Sequence, residues 1–165
     1  MHNEPDIQVA PVATSFREVL LGLRVHEAQR NFVGDIADLL ADAESCPGSE
    51  PMTILRGDMP IGYYRIETQA RCIVGRDFER PTLGLRAFFI DYRWQGRGLG
   101  GRALAAIVDD LAARHPAARD LALTVNSRNT VGMALYRRAG FVDSGELYHG
   151  GRSGPQHLLV RALSA

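Results

Sequence analysis

Between Arg93 and Leu104 the chain reads RWQGRGLGGRAL, with glycines at 96, 98, 100 and 101 and arginines at 93, 97 and 102. An apolar stretch, LGLRAFFI, precedes it over Leu83 to Ile90, and Leu99, Ala103, Ile107 and Leu111 recur at every fourth position behind it. This pattern predicts a strand, a glycine loop and an amphipathic helix over Gly98 to Arg114, stopped by Pro116. The combination constrains the fold more than any other feature, because a loop so poor in side chains brings backbone against a ligand at a strand-to-helix turn.

Three meanings fit the loop. A plain glycine-rich turn with surface arginines is one. Gly96, Gly98 and Gly101 also satisfy a G-x-G-x-x-G dinucleotide pattern. That fold, however, wants the glycines after its first strand and an acidic residue at the end of the next, and here the following strand ends at Val125-Asn126 without a carboxylate. A triphosphate loop would need Lys-Ser or Lys-Thr after the last glycine, where Arg102-Ala103 stand. In the third reading Gln95-x-x-Gly98-x-Gly100 lies at the start of the helix, where successive N–H groups and the positive end of the dipole face a pyrophosphate. Arg93, Arg97 and Arg102 then add local positive charge.

Elsewhere, Ile7 to Val12 predicts a strand ending near Pro11. Ser15 with Glu18 predicts a capping box opening a helix, and Phe32, Ile36, Leu39 and Leu40 predict a second helix over Asn31 to Ala43. MTILRGDMPIGYYRIE predicts a hairpin turning on Gly57-Asp58. Leu121, Leu123 and Val125 alternate as in a half-buried strand. Asn129 to Ala139 reads as a short helix capped by Gly140-Phe141, followed by two closing strands, Phe141-Val142 and HLLVRAL, around the loop GELYHGGRSGPQ. The predicted order is β, α, α, β, β, β, α, β, α, β, β.

Nineteen basic residues balance nineteen acidic ones in 165 residues, so nothing in the overall charge favours nucleic acid or an acidic membrane. The longest apolar run is far short of a membrane span, and the start MHNEPDIQVAPV lacks a secretory pattern, so a cytoplasmic location is expected. Cys46, Cys72 and the five histidines lack metal-ligand spacing, and no metal is expected.

Two linked segments, FFIDYRWQGRGLGGRAL and LALTVNSRNTVGMALYRRAGF, together resemble the GCN5-related N-acetyltransferases. The resemblance implies an α/β (α+β) fold: one N-acetyltransferase domain over residues 1–165, with a mixed, mainly antiparallel sheet splayed between its fourth and fifth strands and helices on both faces. It implies acetyl-coenzyme A as co-substrate and direct transfer of an acetyl group to a primary amine. VHEAQRNFV, the acidic helix after it and MTILRGDMPIGYY are similar to the bacterial spermine/spermidine (diamine) acetyltransferase branch, which points to a polyamine or other small amine. That branch often carries an acidic residue in the fourth strand, where this chain has Arg86.

Carried onto this sequence, the resemblance makes Tyr136 the acid that protonates the departing thiolate, a task suited to a phenol with ordinary pKa near 10. It places backbone N–H donors to the thioester carbonyl around Phe89 and Ile90, and the pyrophosphate loop at Gln95, Gly96, Arg97, Gly98, Gly100 and Gly101. Asn129 is both a hydrogen-bond partner for the cofactor arm and an N-cap. Glu27, Glu67, Asp91, Glu146, His149 and a water relay all qualify as the base. Glu27, Asp35, Asp38 and Glu67 could form an acidic entrance for a cationic amine. A protein N-terminal, lysine or aminoglycoside acetyltransferase, and an acyl-coenzyme A-binding module without turnover, remain open, and the family allows a homodimer.

Overall fold

A computed structural model describes residues 5–26, 29, 35–150 and 154–163. The elements are β1 (Ile7–Pro11), α1 (Thr14–Leu21), α2 (Ile36–Ser45), β2 (Ser49–Arg56), β3 (Met59–Glu67), α3 (Arg71–Val74), β4 (Thr82–Ile90), α4 (Leu99–Arg114), β5 (Asp120–Asn126), α5 (Thr130–Arg138), β6 (Val142–Tyr148) and β7 (Gln156–Ala162). The strands form one sheet in the order β1-β2-β3-β4-β5-β7-β6. Every neighbouring pair is antiparallel except β4–β5.

Both faces are covered. Leu99, Ala103, Leu104, Ile107 and Leu111 of α4 meet Ile54, Tyr64, Ile66, Leu85 and Leu121 of the sheet in the main core. On the other face Leu20 of α1 and Ile36 and Leu40 of α2 pack with Tyr63 and Phe89. The alternating apolar pattern thus does what helix and strand periodicity require, each element turning one stripe inward.

The centre of the sheet departs from regularity twice. Tyr63 pairs with Phe89 but Arg65 with Arg86, so Ala87 and Phe88 both lie opposite Tyr64. This is a β-bulge, and Ala87 takes a left-handed φ of 57° in it. Beside it, β4 pairs with β5 only through Thr82, Leu83 and Gly84. Past Gly84 the two strands splay apart.

The vertex of the splay is plugged by α3, which the sequence pattern does not announce because four residues are too short for a period. Its Ile73 packs on Ala122 and Leu158, and a Cβ on Gly84 would come within 2.5 Å of the Ile73 side chain. Ala122 is thereby buried too, so β5 is covered on both faces rather than half-buried.

Other expectations shift. The first helix starts at Thr14 with Ala13 as N-cap and no side-chain cap, which puts Ser15 inside the first turn, where it cannot cap. Residues 31–34 of the expected second helix lie outside the described residues, and the described part begins at Ile36. The closing pair is longer than expected: β6 runs to Tyr148, kinked around Gly145 (φ 82°), and β7 inserts between β5 and β6.

Gly62, opposite Ile90, has no room for a side chain: a Cβ there would sit 2.5 Å from the Phe89 carbonyl oxygen. Gly62→Ala should therefore lower the unfolding free energy by about 1–3 kcal/mol, as overpacking does. Urea unfolding followed by circular dichroism reads this directly; an unchanged midpoint would show that β3 and β4 yield without cost.

Candidate active site

The glycine loop lies where β4 hands over to α4. Asp91, Tyr92, Arg93 and Trp94 make a short 3-10 turn, then Gly96 (φ 77°) and Gly98 (φ 74°) turn the chain into α4. Both glycines take a backbone conformation that side chains disfavour, and a Cβ at either would meet nothing within 4 Å. Their space belongs to a cradle over the N-terminus of α4, not to packing. Gly100 differs: its Cβ would lie 3.2 Å from Leu135, so its smallness lets α4 approach α5.

A cavity of about 300 Å³ runs from this cradle into the splay. Its walls bring together the residues expected to serve as acid, carbonyl donors, pyrophosphate loop and arm contact, Arg97 excepted: Phe89, Ile90, Gln95, Gly96, Gly98, Gly100, Gly101, Asn129 and Tyr136. Arg97 stands outside the lining with its guanidinium carbon 5.0 Å from the centre of the Trp94 ring. Phe88 turns toward Tyr136, their ring centres 6.1 Å apart, while Phe89 turns the other way toward Tyr63 at 6.4 Å. Opposite directions for consecutive aromatics follow from the pleat.

Tyr136 also packs edge-on against Phe141 at 5.7 Å. Burial pushes its phenol pKa up, so the group keeps its proton and stands as a donor. Asn129 caps α5, its Oδ1 accepting from the Gly132 N–H at 3.0 Å. That folded cap explains Gly132, whose Cβ would meet the Asn129 amide nitrogen at 2.5 Å. The side chain of Gln95 is spent inside the protein, its Nε2 donating to the Ile90 carbonyl at 2.7 Å and to Gln29 Oε1 at 3.0 Å. Val25, Gln29, Trp94 and Leu135 line the cavity without having been singled out. Trp94 and Leu135 lie inside the two quoted segments, whereas Val25 and Gln29 come from a stretch with no period to mark it.

The carboxylates considered as bases have other work. Asp91 is fully buried and accepts from the Arg24 N–H at 2.8 Å, the Arg93 N–H at 3.0 Å and the Arg93 guanidinium at 2.7 Å. Burial by itself would raise its pKa, but these donors outweigh it and hold the carboxyl below its usual range. Glu67 is buried and bonded by Arg65 and by Ser49 Oγ (2.6 Å), with Arg86 at 3.8 Å. Arg65 also bonds Asp42 of α2. Glu146 is paired with Arg76, which lowers its pKa. His149 is exposed beyond β6, and Glu27 lies outside the described residues. Asp35 and Asp38 stand at the start of α2, where negative charge suits the helix dipole. Among the described residues no cluster of side chains has the makings of a metal site.

A sheet parted at its centre, with a glycine cradle at a helix N-terminus and an aromatic hydroxyl on the facing helix, defines an acetyltransferase architecture. The chain belongs to the acetyltransferase (GNAT) family, whose model matches residues 17–141. Spermine/spermidine N(1)-acetyltransferase of Bacillus subtilis (strain 168) is 29% identical over 160 residues, covering 95% of this chain and 99% of the relative. Among solved structures, the aminoglycoside acetyltransferase AAC(6')-Ib in complex with coenzyme A has a TM-score of 0.74 at 17% identity, with 95% of each chain covered. Spermidine N-acetyltransferase from Vibrio cholerae, in complex with coenzyme A and spermine, has a TM-score of 0.70 at 13% identity, with 96% of each chain covered. At such identities the two structures establish the fold.

Asp91 gives a pH-dependent signature. A carboxyl whose folded pKa lies below its unfolded value contributes stability that is present above the unfolded value and is lost as pH falls through the folded one. Asp91→Asn should therefore be less stable than the parent at pH 7, and the gap should close as pH drops below the ordinary value of 3.8. Denaturant midpoints of both proteins measured from neutral pH downward test this; a gap of constant size would mean that geometry, not charge, holds the turn.

Proposed function

We propose that the chain transfers an acetyl group from acetyl-coenzyme A directly to a primary amine, with a polyamine or another small amine as acceptor. The observation that carries this reading is convergence: the cradle at Gly96 and Gly98, the backbone of Phe89 and Ile90, and Tyr136 all border one cavity at the splay. The open space over both glycines suits a pyrophosphate held by backbone N–H groups. When bound, the cofactor supplies a thioester.

The chain's own residues then have distinct tasks. Where β4 leaves β5, the backbone N–H of Ile90, which points away from β3, has no strand partner on that side and can donate to the carbonyl oxygen as it gains charge, a contribution of roughly 3 kcal/mol. Tyr136, protonated, donates to the sulfur as the thiolate leaves. Asn129 holds α5 in place through its cap and keeps its amide N–H groups for the cofactor arm. Phe88 packs against Tyr136 and narrows the thioester site, which favours a short acyl group.

Similarity to the B. subtilis enzyme over almost the whole of both chains supports the polyamine acceptor. Asp42, Arg65, Glu67 and Arg86 cancel one another on the α2 face, so a polyamine draws its carboxylate partners from other residues. Because Asp91, Glu67 and Glu146 are committed to arginines, the amine's proton is left to His149, to Glu27 or to a water relay.

Tyr136→Phe should lower kcat about a hundredfold in a thiol-release assay, with little change in coenzyme A affinity by calorimetry. Normal turnover in the variant would remove Tyr136 as the acid. Run across an amine panel, the same assay assigns the acceptor: turnover with spermidine and not with peptides is expected, and the reverse would move the acceptor to protein amines. Gly98→Val, which puts a side chain into the cradle, should abolish coenzyme A binding; retained affinity would refute the loop assignment.

A further inference from the structure

We infer that Trp94 positions a two-arginine clamp for the 3′-phosphate of the cofactor, an assignment that rests on the acetyl-coenzyme A reading above. Trp94 is the chain's single tryptophan. It ends the 3-10 turn, packs its half-buried ring on the main core and lines the cavity beside the cradle. Two guanidinium groups lie against that ring, those of Arg97 and Arg56, each with its central carbon 5.0 Å from the ring centre. Arg97 comes from the loop. Arg56 comes from the end of β2, some way back in the chain and outside the glycine motif.

The charges around the loop are not equivalent. Arg93 is neutralised by Asp91, and Arg102 reaches the Pro5 carbonyl. Among the described residues neither Arg56 nor Arg97 forms an ion pair or hydrogen bond, and both are held by cation–π contact alone. Two like charges brought to one ring repel, and an anion beside them reverses the penalty. The pyrophosphate already has the backbone donors of the cradle and the helix dipole. Coenzyme A carries one further phosphate, on the ribose next to the pyrophosphate, and planar guanidinium groups suit it. On the α5 side of the cradle the adjoining cavity offers Arg138 and Arg161, but Arg161 is spent on the carbonyls of Ala139 and Ala162. The Trp94 side therefore keeps two guanidinium groups whose donors are unengaged among the described residues, against one on the α5 side.

Calorimetry with coenzyme A and with 3′-dephospho-coenzyme A tests the clamp. The parent should prefer coenzyme A by about tenfold, with the preference shrinking at high salt. Arg56→Gln, outside the cavity lining, should remove most of that preference while leaving dephospho-coenzyme A affinity in place; Trp94→Leu should lower coenzyme A affinity more than dephospho-coenzyme A affinity, and Trp94→Phe, which keeps an aromatic face, should retain the preference. Parent protein that binds both ligands equally, or variants that weaken both alike, would overturn the inference. Should Trp94→Leu fail to fold, Arg56→Gln, at a half-buried position at the end of β2, carries the test. Parent protein that binds neither ligand would instead sink the acetyl-coenzyme A reading itself.

Discussion

Strand β4 keeps its ladder with β3 on one side while on the other it pairs with β5 only from Thr82 to Gly84. Backbone polar groups left without a ladder partner must find another, so the parted end of β4 is a place built for a ligand's polar atoms. The parting has a mechanical cause. The bulge at Ala87 and Phe88 bends the strand, and Ala87 in a left-handed conformation stores roughly 1–3 kcal/mol that surrounding packing must offset. That packing is visible on both sides: Phe89 is driven into the cluster under α1 and α2, and Ile90 into the one under α4. At the closed end, Ile73 over Gly84 and Ala122 fixes where the separation begins.

The cofactor loop depends on the same strand end. Asp91 follows Ile90 directly, and its buried carboxylate gathers N–H groups from Arg24 and Arg93. Its own N–H donates to the Ile61 carbonyl, and Tyr92 N–H to that of Arg24. With the Gln95 bonds to Ile90 and Gln29, these contacts tie the loop to β3, to the end of β4 and to the segment after α1. A cradle that must present backbone N–H groups within a fraction of an ångström gains from being anchored on three elements at once.

How much of this could be read from the chain varies with the range of the interaction. The loop, the α4 stripe and the Asn129 cap are local, set by residues within a turn or two of one another, and each appears where its pattern places it. Gathering Phe89, Asn129 and Tyr136 into one cavity is not local, and only the resemblance to a family reached it. The rest was hidden for identifiable reasons. Arg71–Val74 is too short to show a period, and the capping signal at Ser15 lost to a helix whose N-cap, Ala13, lies two residues earlier. Arg56 meets Trp94 only because β2 ends beside the loop, and Asp91 looks like any acid until its burial is seen.

A chain with no net charge can still hold a polyanion, because its charges are sorted by place. Asp91 is consumed by Arg93, Glu67 by Arg65 and Arg86, Glu146 by Arg76 and Glu50 by Arg114. At physiological salt the field of an exposed charge fades within about 8 Å, so paired sites elsewhere neither help nor hinder the cradle. What the mouth presents is the N-terminus of α4 and, beside it, the two arginines lying against Trp94. Local pairing therefore does the work that a basic overall composition does in other anion-binding proteins, and it does so without a long-range field to draw in other polyanions.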